Sequence, residues 1–362
     1  MNYFMSNRIK SQLRKIFWIT VGWTLISLYQ YFHVYSVMAY SGISVPGFDP
    51  ILPLRSSFQV GILGGLMGGS GIVFVWERWL RTRNYGWALM QIFFSYTLVF
   101  LAVSIPVVFS YQSALLHLPV THPEVRQVVA DRFLSISQLE SYLFWLFVTL
   151  GTLIVLLVND KYGPGVFKDF LLGKYFHPKR EERIFMFLDL RSSTTIAERL
   201  GEQRYFNFIK DVFRHSTPAI QYSKGEIYQY VGDEIVISWK TGTGTENANC
   251  IRCFFEIQRI LKEKAGYYQA TYEETPEFKA GLHYGYVMAG EIGVVKRDIA
   301  FSGDVLNTTA RIQAKCNELG VDILFSKFLL DRLALPPNSF SPRKIGDMIL
   351  RGKKQEVVLY TI

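Results

Sequence analysis

The uneven spread of charge along this chain limits its possible folds more than any other feature. Residues 1–158 carry 15 charged side chains, ten Lys/Arg and five Asp/Glu, whereas the remaining 204 residues carry 54. So sparse a first half cannot cover itself with polar surface as a soluble domain does, and it reads as a membrane module fused to a globular one. The overall composition, 49% hydrophobic and 15% aromatic, excludes a disordered, collagen-like or disulfide-stapled chain. The net charge of +9 is no nucleic-acid footprint, because much of it belongs at membrane edges, and no nucleic-acid partner is expected.

Four apolar runs, at about 16–37, 58–76, 85–109 and 139–158, are long enough to cross about 30 Å of hydrocarbon. No signal-peptide cleavage pattern follows the first, so it is expected to stay. Arg8, Lys10, Arg14 and Lys15 precede the first run. Arg78, Arg81 and Arg83 separate the second from the third, and Lys161, Lys168 and Lys174 follow the fourth. The other two loops carry only Arg55, and Arg126 with Arg132. This bias predicts a multi-pass protein of the inner (plasma) membrane with both termini and the globular half in the cytoplasm. Trp76, Trp79, Tyr85 and Trp87 suit the interface. Six glycines in the second run, at 61, 64, 65, 68, 69 and 71, suit close helix packing within the bundle or across a dimer, and a ligand pocket or hinge is the alternative. Pro106 is placed to kink the third run. His33, His117 and His122 lie near membrane edges; haem ligation would need them paired across the bundle, against an ordinary interfacial role. No run carries a buried acid–base pair, which argues against a transporter or pump, and polar pore-lining runs are missing for a channel. An anchor that merely concentrates a dimer, and a sensor of an unknown membrane ligand, read equally well.

Residues 159–183, NDKYGPGVFKDFLLGKYFHPKREER, form a connector, either a passive linker or a stiff signal-carrying element. The three cysteines, Cys250, Cys253 and Cys316, fall in the globular half, which fits a reducing compartment. Cys250 and Cys253 make a CxxC within an amphipathic helix. They read as core thiols, since no second ligand pair lies at metal spacing. The globular half, 184–362, alternates strand and helix patterns in the order βαββαβ. The expected fold is an N-terminal all-α four-helix transmembrane bundle followed by an α+β domain of ferredoxin-like topology.

Two acids stand out in that half. Asp189 ends the apolar strand IFMFLDL, and Asp233 sits at a Gly232–Asp233 hairpin tip. In βαββαβ topology the first strand can lie beside that hairpin. The two carboxylates can then converge into a hard-oxygen site suited to Mg²⁺ with a nucleoside triphosphate. Taken singly, Asp233 is an ordinary turn former and Asp189 an ordinary helix cap. In RDIAFSGDVLNTTARIQ, Asn307 and Arg311 stand four apart on one helix face, where an amide and a guanidinium can orient a ribose and neutralise phosphate.

The stretches FLDLRSSTTIAERLG, YVGDEIVISW, GLHYGYVMAGEIG and GDVLNTTARI, in that order and spacing, resemble the catalytic domain of class III nucleotidyl cyclases over about residues 181–362. The resemblance implies a homodimer with active sites at the subunit interface. It implies two divalent ions, Mg²⁺ or Mn²⁺, on Asp189 and Asp233. Asn307 and Arg311 would come from the opposite subunit, to position the ribose and stabilise the transition state. Lys353 would contact phosphate, with Lys354 as the alternative register. The implied reaction is attack of the ribose 3′-oxygen on the α-phosphorus, releasing pyrophosphate.

The chain departs from the family where the base is read. Adenylate cyclases usually carry Lys four residues before the second aspartate; here it is Gln229. The usual Asp or Thr seven residues before the helix Asn is here Ala300, with Asp298 two positions away. The Glu and small polar residue usual in guanylate cyclases are also missing. A lone amide suits adenine, whose edge offers one donor and one acceptor. ATP is therefore the expected substrate and cyclic AMP the product. GTP, or a receptor that binds nucleotide without turning it over, are the alternatives.

Overall fold

A computed structural model describes residues 2–42, 49–162, 173–295, 298–335, 340–351 and 356–362. The chain forms two compact units, Met1–Tyr162 and Gly163–Ile362.

The first unit is helical. It contains α1 (Asn2–Tyr40), then α2 (Ile51–Ser70), which continues through a π-helical stretch, Gly71–Trp76, into α3 (Glu77–Thr82). α4 (Tyr85–Leu116), α5 (Pro123–Phe133) and α6 (Ile136–Tyr162) follow. Among the described residues three stretches are long and apolar enough to cross a membrane: Ile51–Leu80, Gly86–Leu116 and Ile136–Asn159. α1 is longer than a span requires, but Thr20, Thr24, Gln30 and His33 interrupt its apolar run and it is not among the three. At most 33% of any of the three apolar windows is buried, and Phe93, Phe94, Leu98, Phe147 and Ile154 are exposed. So much apolar surface needs lipid or a partner to cover it. Thr20, Thr24, Ser95, Thr149 and Thr152 each donate their hydroxyl to the carbonyl four residues back, whereas the Ser104 hydroxyl of α4 is buried without a partner among the described residues.

The glycine stripe is a packing seam. A Cβ added at Gly61 or Gly65 would lie 2.5 Å from the Cα of Thr24 or Thr20, and one at Gly68 would lie 2.6 Å from the Trp23 ring. The stripe thus lets α1 and α2 touch backbone to backbone. Trp23 also ties α1 to α6, its Nε1 donating to Thr152 Oγ1 at 3.0 Å. Pro106 sits within α4, which continues past it to Leu116. His117 ends α4 in the left-handed region (φ 54). His122 caps α5, Nδ1 accepting from the Glu124 amide at 3.4 Å. His33 is exposed on α1.

The second unit contains β1 (Lys179–Leu190), α7 (Ser193–Leu200), α8 (Glu202–Tyr222), β2 (Glu226–Val231) and β3 (Glu234–Lys240). Next come α9 (Asn249–Glu263), α10 (Ala265–Tyr272), β4 (Phe278–Ile292), β5 (Asp298–Ser302) and α11 (Asp304–Glu318). β6 (Ile323–Ser326), α12 (Lys327–Leu330), β7 (Arg343–Ile349) and β8 (Glu356–Thr361) complete it. The strands run β2-β3-β1-β4-β6-β8-β7, with β5 paired to β4. The β4–β6 pair is parallel, so the sheet is mixed. β1 starts at Lys179, inside the stretch read as connector. Its charged residues are accommodated in a strand, since Arg183 is 2% exposed and paired with Glu181 (2.9 Å) and Glu226 (2.5 Å). Its guanidinium lies 4.5 Å from the Phe301 ring centroid. Connector residues 163–172 lie outside the described residues.

β1 alternates cleanly. Ile184, Met186 and Leu188 face the side of Trp239, Ile237 and Ile235, their register partners, and Trp239 Nε1 donates to the Ser223 carbonyl at the end of α8. Phe185 and Phe187 face the other side, packing with Val236, Val287 and Val305 of α11. Cys250, Cys253 and Cys316 are buried and free. Burial pushes the Cys253 and Cys316 thiols up to about 12, which keeps them protonated and inert.

Gly281 of β4 sets how close α11 comes. A Cβ there would lie 2.3 Å from the Gln313 amide nitrogen and 2.6 Å from its Cα, both backbone atoms that cannot swing away. Gly281→Ala is therefore expected to destabilise the second unit by about 3 kcal/mol. That should lower its unfolding midpoint by roughly 6–12 °C. An unchanged midpoint in a thermal melt would mean that α11 does not rest on β4 in this way.

Candidate active site

Asp189 is the second-last residue of β1 and shares the face of Phe187, turned toward α11. Its register partner across the ladder is Lys279 of β4, whose Nζ stands 2.9 Å from Asp189 Oδ2. Gln313 of α11, itself buried, donates Nε2 to the same oxygen at 2.9 Å. Two groups from two elements thus fix one oxygen of this carboxylate.

Asp233 occupies the two-residue turn between β2 and β3. Val231 and Glu234 pair across it, and Gly232 takes the positive φ (61) that such a turn favours. Asp233 Oδ2 is buried with no hydrogen-bond partner among the described residues. Burial raises the Asp233 pKa, a hydrogen bond with Ser193 opposes this, and the charge of Asp189 adds to the rise. Glu234 is pushed up to about 7, first by burial and then by Asp189 and Asp233, with Lys279 opposing. The Tyr205 phenol is raised by burial and by the same two aspartates. Three separate groups therefore feel Asp189, and the end of β1 and the hairpin tip meet in one place. A half-buried carboxyl with one unpartnered oxygen beside a second carboxyl is costly, a cost that a cation would relieve.

Among the described residues no group of three or more His, Cys, Asp or Glu is arranged around a metal position. A two-carboxylate donor set still fits Mg²⁺, which is commonly held by one or two carboxylates, waters and substrate phosphates rather than by a full protein cage.

Asn307 is exposed and Arg311 half-buried on α11. At about 100° per residue, Gln313 lies roughly opposite Arg311 around that helix. The face that holds Asp189 is thus not the face that presents Asn307 and Arg311. The structure brings Asp189 and Asp233 together, and Asn307 and Arg311 lie off the helix face through which Gln313 meets Asp189.

Gln229 is exposed on β2 beside a bulge at Tyr228. The Tyr228 ring packs 5.0 Å from that of Phe301, and its hydroxyl accepts from the Phe301 amide at 3.2 Å. β2 and β5 are separated in strand order by β3, β1 and β4, so the sheet curls enough to bring the neighbours of Gln229 and Ala300 together. Ala300 is half-buried and supplies no polar group. Asp298 is exposed, its Oδ1 accepting from the adjacent Ile299 amide at 3.1 Å. Lys353 and Lys354 lie outside the described residues.

Lys279, Gln313, Ser193, Tyr205, Tyr228 and Glu234 were not singled out from sequence. Only Glu234, adjacent to Asp233 in YVGDEIV, had a local signal. Lys279 needs the β1–β4 register to be seen, and Gln313 needs the helix to be docked.

A family model described as the adenylate and guanylate cyclase catalytic domain matches residues 177–362. Adenylate cyclase 2 of Rhizobium meliloti (strain 1021) is 37% identical over 222 residues, 61% of this chain and 61% of that protein. An adenylate cyclase of Anabaena cylindrica is 27% identical over 184 residues, 49% of this chain and 36% of that protein. The chain therefore spans about three-fifths of the first relative and about a third of the second. Among solved structures, a bacterial light-regulated adenylyl cyclase aligns at a TM-score of 0.52 and 20% identity over 63% of this chain and 65% of that one, a likeness of fold.

Proposed function

The chain belongs to the adenylate and guanylate cyclase catalytic-domain family, and on that premise we propose that it is a membrane-anchored enzyme converting ATP to 3′,5′-cyclic AMP and pyrophosphate. The observation that carries this reading is the buried, unpartnered Asp233 Oδ2 beside Asp189. Asp189 and Asp233 would hold two divalent ions, Mg²⁺ or Mn²⁺. When bound, such ions supply charge neutralisation for the triphosphate and favour loss of the 3′-hydroxyl proton.

The chain's own residues do the rest. Lys279 and Gln313 grip Asp189 Oδ2 and prevent the carboxylate from rotating. Asn307 orients the ribose through its amide, and Arg311 meets negative charge growing on the α-phosphoryl group. Both would come from a second copy of the chain, so each site needs a homodimer. Lys353 would add a contact to the triphosphate. The bond that forms is from the ribose 3′-oxygen to the α-phosphorus, and the bond that breaks is to pyrophosphate. Gln229 reads the base edge. Ala300 leaves the opposite side without a polar reader, and Asp298 already accepts from its neighbour's amide.

The three apolar helices, with α1 as a fourth span, support a multi-pass anchor in the plasma membrane. The bias of basic loops supports placing both termini and the catalytic unit in the cytoplasm.

The test is product formation by the full chain with ATP or GTP in Mn²⁺ or Mg²⁺. Cyclic AMP in excess is the expected result. Cyclic GMP alone would make it a guanylate cyclase, and nucleotide binding without either product would make it a receptor. Gln229→Lys should raise the ATP-over-GTP ratio of kcat/KM by about tenfold, the worth of one charge-assisted hydrogen bond. An unchanged ratio would place base reading elsewhere.

A further inference from the structure

The helical unit contains a cavity of about 660 Å³ that takes no part in the proposed reaction. It opens where the first turns of α2, the last turns of α4 and the start of α5 meet. It is an open groove rather than an enclosed pocket, with Arg55, Arg126 and Val120 exposed along it. Arg55 of α2 and Arg126 of α5 both line it, with the hydroxyls of Ser110 and Thr121. Phe109 and Val120 supply apolar wall.

Among the described residues no acidic side chain lines this cavity, and neither guanidinium has a carboxylate partner. Two like charges that face one cavity without a counter-charge repel each other. Guanidinium forks are the groups best suited to grip a carboxylate or phosphate through paired hydrogen bonds. The position within the unit is also informative. α4 ends here and α6 begins nearby in sequence, whereas α6 leaves the unit at its other end, at Tyr162. The cavity is thus at the end of the bundle remote from the chain's exit.

We propose that this cavity binds an anionic amphiphile, its carboxylate or phosphate head held between Arg55 and Arg126 and a short apolar chain lying against Phe109 and Val120. Such a ligand has two sources, a free short-chain acid from the aqueous side or the head of an anionic bilayer lipid. Binding here is independent of whether the second unit cyclises a nucleotide, so the two readings fail separately.

The test uses the full chain in phosphatidylcholine nanodiscs, titrated with octanoate by calorimetry, and with octanol as the neutral control. Octanoate should bind saturably, and octanol at least about tenfold more weakly, because only the acid engages the guanidinium pair. Arg126→Gln, at an exposed position, should weaken octanoate by about tenfold, and Arg55→Gln with Arg126→Gln should abolish binding. If the double variant fails to fold, judged by size exclusion, the octanol comparison and the single variant still decide. In phosphatidylglycerol nanodiscs, loss of octanoate binding with lipid retained by native mass spectrometry identifies the lipid head as the occupant. Continued octanoate binding there identifies the free acid. Equal binding of octanoate and octanol overturns the proposal, as does binding unaffected by Arg126→Gln. So does an absence of octanoate binding when the protein retains no phosphatidylglycerol.

Discussion

Asp233→Ala is expected to reduce turnover by at least about 10³-fold while leaving the second unit as stable as before, or more so. The two halves of that expectation have separate causes. Activity should fall because, on the proposed function, Asp233 would be one of two carboxylates holding the ions, and its loss would remove an ion position rather than a single hydrogen bond. Stability holds because the loss of the Ser193 hydrogen bond is offset by removing an oxygen, Oδ2, that is buried without a partner, on a carboxyl whose pKa burial and Asp189 raise. Removing an unsatisfied polar group relieves a cost instead of adding one. Asp189→Ala should be equally inactive but less stable, since it strips the ion-pair partner from Lys279 (2.9 Å) and the acceptor from Gln313 (2.9 Å). The contrast is read from kcat with Mn²⁺ alongside thermal melts of each variant. Near-normal turnover in Asp233→Ala removes the metal assignment. An Asp233→Ala protein that melts well below the wild type would mean that this carboxyl is structural.

What sequence could reveal here depended on range. The period-2 run IFMFLDL and the Gly232–Asp233 turn are local patterns, and both elements formed where their residues pointed. The charged KREER stretch misled, because Arg183 is made tolerable inside a strand only by Glu181, Glu226 and the Phe301 ring, partners spread over more than a hundred positions. Lys279 and Gln313 were invisible for the same reason: each acquires its role through strand register or helix docking. The glycine stripe was legible as a packing motif, but its partners, Thr20, Thr24 and Trp23 on α1, were not. On α1, two of the four residues that interrupt the apolar run, Thr20 and Thr24, are the ones whose backbone Gly65 and Gly61 approach.

Mixing Asp189→Ala chains with Arg311→Ala chains should restore activity that neither variant has alone. Arg311→Ala by itself should cost about 10²–10³ in kcat, the usual loss for one preorganised donor at a developing charge. The geometry of α11 makes recovery the expected outcome. Its Gln313 face is committed to Asp189 of the same chain, while Asn307 and Arg311 lie around the other side, Asn307 exposed. A helix cannot present both faces to one carboxylate, which supports the proposal that these two residues complete a site whose aspartates belong to another copy. In a twofold dimer of the two variants, one site collects both defects and the other collects none. With random pairing about half the dimers are mixed, and activity should approach about a quarter of the wild type. The readout is cyclic nucleotide formed by co-purified, differently tagged chains, with each variant alone as baseline. Verified mixed dimers that stay as inactive as their parents would place Arg311 in the same chain's site, and α11 would then have to rotate away from Asp189 before catalysis.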